Sequence, residues 1–257
     1  RLVFPTALLG FTLNTFQTGQ VSLERIETLL QRQPLILSPP HPQTLPQPVA
    51  GAVEARGLTI GYPGRKQPAL ANLSFSIRPG ELVAVVGPVG CGKTTLARAL
   101  GRMVEVPEGQ LFLDGIDVTS LSLADLRQQV ALVPQEGFLF TATLADNLRY
   151  GEPEAPMERV REAAELAQLA ADIRGFPDGY QTLVGERGIT LSGGQRQRTA
   201  LGRALLLPSS ILVLDDALAS VDNRTAAAIL RAVREEQRRT VDRKSTRLNS
   251  SHTVISY

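Results

Sequence analysis

In Gly87-Pro88-Val89-Gly90-Cys91-Gly92-Lys93-Thr94, the chain meets the pattern G-x-x-x-x-G-K-[ST] of a phosphate-binding loop. The glycines let the backbone curl tightly and turn successive N–H groups toward one anion. Lys93 is expected to neutralise the outer phosphates, and Thr94 to place its hydroxyl on a magnesium ion. The predicted ligand is a nucleoside triphosphate, and the alternative for the motif alone is a glycine-rich turn that binds nothing.

The sequence on either side of this loop has the strand and the helix that such a loop requires. The run at 82–86 is short, apolar and rich in β-branched residues, which predicts a buried parallel strand. A helix is predicted over 94–104, with its partially positive N-terminus directed at the phosphates. Further strands and helices alternate along the chain, which predicts an α/β fold with a parallel sheet. The other predicted strands are 53–62, 71–77, 110–115, 130–133 and 211–214, and the other predicted helices are one that begins at Ser122, 157–169 and 223–236.

Composition and charge exclude several other classes of protein. The 257 residues include 27 Lys and Arg against 25 Asp and Glu, a net charge of +2, so no basic field argues for nucleic acid. Cys91 is the single cysteine, which rules out a disulfide within the chain and favours a reducing compartment. It is expected to fill space in the loop and not to act as a nucleophile. The chain begins with Arg1 and shows no signal-peptide pattern, so it is expected to be a fragment.

The first fifty residues differ in character from the rest. Residues 2–16 are largely apolar but fall short of the ~20 that a membrane-spanning helix needs. An amphipathic pattern follows over 21–30, so 1–33 is either the trailing end of a longer membrane helix or a loose amphipathic tail. Six prolines lie between 34 and 48, which predicts an extended linker over 34–50.

Two adjacent carboxylates follow the predicted strand 211–214. A carboxylate at the carboxyl end of a parallel strand can hold the water shell of a magnesium ion, which is the role predicted for Asp215. Asp216 comes next, where it could orient or deprotonate an attacking water. The alternative for two acids after a strand is a polar turn.

The segment Leu191-Ser192-Gly193-Gly194-Gln195 reads LSGGQ, and here the chain resembles the ATP-binding cassette (ABC) ATPases. Ser192 can cap the helix that follows, and the two glycines leave backbone N–H groups open to a phosphate. The resemblance covers roughly residues 52–241. It implies ATP and Mg²⁺ as cofactors, and a P-loop NTPase (RecA-like) core with an antiparallel β subdomain and an α-helical subdomain. In the family, this signature segment meets nucleotide held by a second cassette.

The resemblance also assigns roles to further residues. Tyr62 matches the aromatic residue that stacks on adenine, with a core tyrosine as the alternative. Gln135 matches the Q-loop glutamine that reaches magnesium, and Asp222 lies in a match to the D-loop (219–222), which crosses the dimer interface. The implied ATP contacts are Tyr62, Gly87, Pro88, Val89, Gly90, Cys91, Gly92, Lys93, Thr94 and Thr95, the implied magnesium contacts are Thr94, Gln135 and Asp215, and the implied catalytic residues are Asp216 and Gln135.

Two features resemble exporters in particular. Residues 182–188 resemble the x-loop that precedes the signature in exporters, and 2–30 resemble the descent from the last transmembrane helix. Both imply a transporter with membrane and ATPase parts in one chain, with most of the membrane part missing here. The implied location is the inner membrane, with the cassette on the cytoplasmic face. Coupling helices of the membrane part would dock on 138–147.

Asp216 departs from the family, whose usual catalytic residue at this place is glutamate. Aspartate is one methylene shorter, about 1.5 Å of reach, and a displacement of about 1 Å can slow a reaction on the order of 100-fold. Slow hydrolysis is therefore expected at this chain's own site. Exporters that pair two different subunits often have such an aspartate in one of them, so a heterodimer is predicted, with a homodimer as the alternative.

The C-terminus departs from the family as well. After Val241 the family continues into a switch histidine, but residues 242–257 resemble one reading frame of a common sequencing-library adapter. We therefore expect an artefactual tail there and a truncated ATP-binding domain over 51–241. Neither His252 in that tail nor His41 in the linker is a candidate for the switch role.

Two other functions stay open at this point. One is a soluble ABC protein that acts as a nucleotide-driven clamp without a membrane partner, and the other is a nucleotide-binding regulator without turnover. The apolar start and the x-loop resemblance argue against the clamp. The transported substrate is not encoded in this chain, because membrane helices would select it.

Overall fold

The computed structural model describes residues 3–32, 34–185, 190–242 and 252–256. Contacts divide the chain into two units, Arg1–Leu37 and Ser38–Tyr257. In chain order the helices and strands are α1 (Val3–Leu30), β1 (Val53–Ile60), β2 (Leu70–Ile77), β3 (Leu82–Val86), α2 (Lys93–Leu100), β4 (Leu111–Leu113), β5 (Ile116–Asp117), α3 (Leu123–Gln129), β6 (Val130–Val133), β7 (Ala142–Thr143), α4 (Leu144–Leu148), α5 (Met157–Leu166), α6 (Ala170–Gly175), β8 (Leu183–Val184), α7 (Gly193–Leu206), β9 (Ile211–Leu214), α8 (Asn223–Asp242) and β10 (His252–Ser256).

The first unit consists mainly of one helix. α1 runs for 28 residues, through both the apolar stretch and the amphipathic pattern. The hydroxyls of Thr12, Thr15 and Thr18 donate to carbonyl oxygens four residues earlier at 2.8–2.9 Å, so these polar groups are satisfied within the helix. Among the described residues, no helix combines the length and the apolar character needed to cross a bilayer.

One sheet of the second unit is antiparallel, with the strand order β2-β1-β4-β5. Asp114 and Gly115 both have positive φ angles, 49° and 80°, so that β4 and β5 pair across a two-residue turn. Alternation along the strands places one set of side chains in the core. The most buried of them are Leu58, Ile60, Leu111 and Leu113. This sheet confirms the predicted antiparallel β subdomain.

In the part of the chain that the structure describes, two pairs of strands are parallel. β6 pairs with β9 from Val130 and Ile211 to Val133 and Leu214, and β3 pairs with β10. Because parallel strands end side by side, the residues that follow β6 and β9 become neighbours. The helices and the two kinds of sheet together confirm the predicted α/β fold class.

The prediction of a buried strand over 82–86 is wrong for one face of β3. Leu82 and Val86 are 43% and 47% exposed, and Ala84 between them is exposed as well, whereas Val83 and Val85 are half-buried. Side chains alternate across a strand. Within the described residues, the Leu82 face of β3 has no second layer packed over it, so only the other face is partly covered.

Several predicted helix ends also differ from the structure. α2 ends at Leu100 and not at 104, because Arg102 takes a positive φ of 45° that a helix cannot contain. α5 ends at Leu166 and not at 169, because Gln168 has a φ of 54° and the separate helix α6 begins two residues later. α8 continues to Asp242, beyond the predicted end at 236.

A helical subdomain surrounds the middle of α7, as the resemblance predicts. Gly202 on α7 lies against α4, because a Cβ at this position would come within 2.7 Å of Leu148 Cδ2. The glycine therefore lets the two helices approach closely. The cluster of fully buried large residues here contains Leu139, Leu144, Leu148, Val160, Leu169 and Ile173.

Most of the proline-rich segment belongs to the second unit and packs against its other residues. Leu45 is 5% exposed, and the carboxylate of Asp114 accepts hydrogen bonds from the backbone N–H groups of Ala50 and Ala52, both at 2.7 Å. The second unit therefore begins at Ser38, whereas the sequence predicts a separate linker over 34–50.

The predicted artefactual tail, 242–257, is described in part. Asp242 ends α8, His252–Ser256 form β10, and 243–251 and 257 lie outside the described residues. β10 begins with His252 opposite Leu82, at the end of β3 that lies away from the phosphate loop.

Candidate functional site

The phosphate-binding loop takes the conformation for which its glycines are needed. Gly90 and Gly92 have φ angles of 86° and 101°, in the left-handed region that favours glycine. A Cβ on Gly92 would also collide with the carbonyl oxygen of Ala69 and lie 2.6 Å from Leu70 Cδ2. Any larger residue at 92 would therefore displace the loop. Val89, at the loop tip, is fully exposed.

Lys93 lies at the mouth of this loop. Its Nζ donates to the carbonyl oxygens of Gly87 and Pro88, both at 2.9 Å, and lies 3.8 Å from the Sγ of Cys91. The ammonium group is therefore held over the loop by two neutral acceptors, and no carboxylate neutralises it in these contacts.

The hydroxyl of Thr94 meets the carboxylate of Asp215 at 3.0 Å, across 121 residues of sequence. Asp215 is fixed in turn, because its N–H donates to the carbonyl of Val133 at 3.0 Å and extends the pairing of β6 and β9 by one residue. A hydroxyl and a carboxylate are hard oxygen donors of the kind that Mg²⁺ prefers. The residues present thus fit a magnesium ion.

These protein groups alone do not form a complete metal cage. Among the described residues, no three His, Cys, Asp or Glu side chains lie together as a metal cluster. Mg²⁺ usually keeps several waters and is bound by one or two protein groups together with substrate phosphates. The arrangement of Thr94 and Asp215 is of that kind.

Asp216 and Gln135 are brought together beside the pair just described. The amide Nε2 of Gln135 lies 3.3 Å from Asp216 Oδ2, and both residues are exposed. Asp216 has a φ of 53°, a left-handed conformation that aspartate tolerates better than most residues. The two residues predicted to be catalytic are therefore neighbours in the structure.

Tyr62, two residues after β1, contacts Thr95 in the first turn of α2. The hydroxyl groups of the two residues are 3.2 Å apart, Thr95 is buried, and the Tyr62 ring is half-buried against the core of the second unit. This packing favours the core-tyrosine alternative for part of the ring. Its role in adenine stacking stays a prediction.

The signature segment builds the start of α7. Ser192 Oγ accepts from the N–H of Gln195 at 3.2 Å, and Gln195 Oε1 accepts from the N–H of Ser192 at 2.9 Å, which is a complete capping box. Gln195 also donates to Asp172 at 2.9 Å, and Leu191 is a core residue. Leu191 and Gln195 thus support the segment, while Ser192 is exposed.

The segment 216–222 packs against the start of α7. A Cβ on Gly194 would come within 2.9 Å of the Ser220 carbonyl oxygen, so a glycine is required for this approach. Asp222 accepts from the N–H of Thr225 at 2.9 Å and caps α8. This backbone hydrogen bond is the main reason why the pKa of the Asp222 carboxyl lies below its usual value.

Gln197 is a residue of this site that the sequence reasoning missed. Its side chain is 8% exposed, its Oε1 accepts from the N–H of Ser220 at 2.8 Å, and its Nε2 lies 3.4 Å from the carbonyl oxygen of Gln135. The sequence signal that could have identified Gln197 was its spacing along the helix. Gln197, Leu201 and Ala204 recur at helical intervals on the buried side of α7, where a polar residue needs partners.

The sequence pattern of the family described as ABC transporter matches residues 70–219, more than half of the chain. The chain belongs to the ABC transporter family. The phosphate loop, Asp215 and the signature helix all lie within the matched region.

Individual ABC proteins are similar to most of this chain. It is 37% identical over 250 residues to the multidrug resistance-like ATP-binding protein MdlA of Escherichia coli, covering 97% of this chain and 42% of that protein. It is 40% identical over 248 residues to the mitochondrial iron-sulfur clusters transporter ATM1 of Chaetomium globosum, covering 93% and 41%. The chain thus spans about two fifths of the length of these curated relatives.

A solved structure of an ABC exporter has the same fold. It is described as a bacterial Atm1-family ABC exporter with ATP bound, and it superposes with a TM-score of 0.81 at 33% identity. The match covers all of this chain and 43% of that chain. The chain is therefore an ABC ATP-binding domain related to those of exporters.

An aromatic surface of this ABC domain follows Gln135 in the sequence. The rings of Phe140 and Tyr150 stack at 4.2 Å, Phe138 meets Phe140 edge-on at 5.0 Å, and Phe138 and Tyr150 are more than half exposed. Arg203 supports these residues, because it donates to the carbonyl oxygens of Phe138 and Asn147 at 2.9 Å. Burial lowers the pKa of Arg203 from its usual value.

The predicted x-loop of this ABC domain, 182–188, is described only in part. Leu183–Val184 form β8, which pairs with β7, and 186–188 lie outside the described residues. His41 lies exposed in the proline-rich segment.

Proposed function

We propose that this chain is the ATP-binding and ATP-hydrolysing cassette of an ABC exporter, which dimerises around ATP to drive efflux of a substrate across a membrane. The contact between Thr94 and Asp215 supports the ATP site most directly, because it joins the phosphate loop to a carboxylate suited to magnesium. Magnesium would neutralise phosphate charge in this place.

The phosphate loop supplies the binding groups for the nucleotide. Lys93 would exchange the carbonyl groups of Gly87 and Pro88 for phosphate oxygens, since a phosphate is the stronger acceptor for an ammonium group. Gly90 and Gly92 allow the backbone to approach the phosphates without interference from side chains. Gln135 and Asp216 would face the reacting end of the same nucleotide.

The signature segment would serve a second cassette. The first N–H groups of a helix have no acceptor within the helix, and the capping box uses those of Ser192 and Gln195. The N–H groups of Gly193 and Gly194 are therefore available to an anion at the N-terminus of α7. We infer that this anion is the γ-phosphate of ATP bound by a partner cassette.

The aspartate at position 216 favours the proposal that ATP bound by this chain is hydrolysed slowly. Its carboxylate ends about 1.5 Å short of where a glutamate would reach, and catalysis is sensitive to displacements of about 1 Å. A heterodimer follows as the proposed assembly, in which the partner has glutamate at the matching position. The intact signature here would complete the faster site, which holds the partner's nucleotide.

The aromatic surface formed by Phe138, Phe140 and Tyr150 would receive the membrane part. Two of these rings are exposed, and large rings that bury on contact are common at protein interfaces. From the resemblance to exporters, we further propose that the cassette lies at the inner face of a cell membrane, in the cytoplasm.

The test of ATP binding compares two lysines of the chain. Lys93→Ala should weaken Mg-ATP binding at least tenfold, measured by titration calorimetry, because a charged hydrogen-bond donor to phosphate is lost. Lys66→Ala removes the same charge from an exposed residue and should leave the affinity unchanged. Equal affinities of the two variants would contradict the proposal.

The test of the assembly needs the complete transporter. Reconstitution of this subunit with its partner should show trapped nucleotide that turns over faster at one site than at the other. Equal turnover at both sites would contradict the heterodimer with one slow site.

A further inference from the structure

The amide of Gln197 joins two segments that both present side chains to the ATP site. One segment follows β6 and contains Gln135, and the other follows β9 and contains Asp216 and Ser220. Strand pairing brings the two segments side by side, but it ends with the hydrogen bond from Asp215 to the Val133 carbonyl, just before Gln135 and Asp216. The side chains of Gln135 and Asp216 nevertheless lie in contact, at 3.3 Å.

The contacts of Gln197 explain how this distance is held. Its Oε1 accepts from the N–H of Ser220 at 2.8 Å, and its Nε2 lies 3.4 Å from the carbonyl oxygen of Gln135, so both ends of one buried amide are used. A buried amide that lost either partner would leave a polar group unsatisfied, which opposes movement of either segment alone. Gly194 adds to this arrangement, because its missing side chain lets the Ser220 carbonyl approach α7.

We propose that Gln197 is a positioning residue that sets the separation between Gln135 and Asp216. It reaches the reacting groups only through the backbone of the two segments, and it does not touch nucleotide itself. The proposal rests on the proposed function, since it assumes that this pair faces magnesium and ATP.

Two substitutions test the donor and the acceptor of this amide separately. Gln197→Met has a similar volume and removes both the acceptor and the donor. Gln197→Glu keeps the acceptor for Ser220 but places a carboxylate oxygen against the Gln135 carbonyl, where it repels. Matched controls are Gln128→Met and Gln128→Glu on α3, because Gln128 is exposed.

The first measurement is ATP affinity of the full chain with Mg²⁺ and, separately, with a chelator. Mg²⁺ is expected to raise the ATP affinity, and in both Gln197 variants this increase should be about 3- to 10-fold smaller than in the wild type. The affinity measured in chelator, which depends on the phosphate loop, should be unchanged. A residue that only supported the fold would change both affinities together with the melting temperature. The Gln128 controls should match the wild type.

The second measurement is hydrogen exchange of the Ser220 amide. Without nucleotide, exchange should be about 5- to 10-fold faster in Gln197→Met, since one hydrogen bond is lost, and close to the wild-type rate in Gln197→Glu. In the wild type, Mg-ATP should change this rate, because the side chain that holds Ser220 also holds Gln135.

The outcomes distinguish this inference from the proposed function. Folded Gln197 variants that retain the full gain from Mg²⁺ would overturn the inference. If neither variant folds, the wild type decides, and a Ser220 exchange rate that Mg-ATP leaves unchanged would overturn it. A wild-type chain that binds no ATP in either buffer would contradict the proposed function instead.

Discussion

Gly193 and Gly194 are adjacent in the first turn of α7, but only Gly194 lies in tight contact with another segment. A Cβ on Gly194 would be 2.9 Å from the Ser220 carbonyl oxygen, while the nearest atom to a Cβ on Gly193 would be 3.7 Å away. Relief of the first contact requires a movement of roughly half an ångström, and forcing an extra carbon into a packed place costs about 1–3 kcal/mol. Replacing glycine by alanine in a helix stabilises it by about 0.5–1 kcal/mol.

Gly193→Ala is therefore expected to leave the free energy of unfolding unchanged or slightly raised, and Gly194→Ala to lower it by about 1–3 kcal/mol relative to Gly193→Ala. Urea unfolding of both variants, followed by circular dichroism, measures this difference directly. Both variants have the same gain in helix propensity, so the comparison isolates the contact with Ser220. The reasoning would be refuted if Gly194→Ala were as stable as Gly193→Ala.

Three further predictions concern aspartates. Asp216→Glu should raise phosphate release by the reconstituted transporter, on the order of 10- to 100-fold at this site, and an unchanged rate would argue against the slow-site proposal. Asp114→Asn should lower the free energy of unfolding by about 1–3 kcal/mol, because a carboxylate that accepts from Ala50 and Ala52 loses one of its acceptor oxygens. Thermal unfolding would show this loss, whereas Asp178→Asn, at an exposed residue, should have no effect. The lowered pKa of Asp222 means that its contribution to stability is present above about pH 4 and is lost as the pH falls further. Asp222→Asn should therefore flatten the fall of the urea midpoint in acid, and an unchanged acid profile would show that the cap does not act through this charge.

Features that depend on neighbouring residues could be predicted from the sequence. The phosphate loop, the strands 130–133 and 211–214 and the serine that caps α7 are all local, because turn geometry, apolar runs and capping need only a few adjacent residues. The LSGGQ segment indicated the family, and the family implied the subdomains. The comparisons confirm both predictions. Predictions failed where long-range packing acts, as at the exposed face of β3.

The contacts that make the site depend on the tertiary structure. Thr94 and Asp215 are 121 residues apart, and Gln197 lies 62 residues from Gln135, so no local pattern specifies their meeting. Parallel pairing of β6 with β9 brings the residues after those strands together, and the burial of one face of α7 selects Gln197 as the amide between them. The sequence alone determined which groups this protein has for binding a triphosphate. Their mutual distances arise only when strand pairing and helix packing bring distant segments into contact, because the energy of those contacts depends on the whole core.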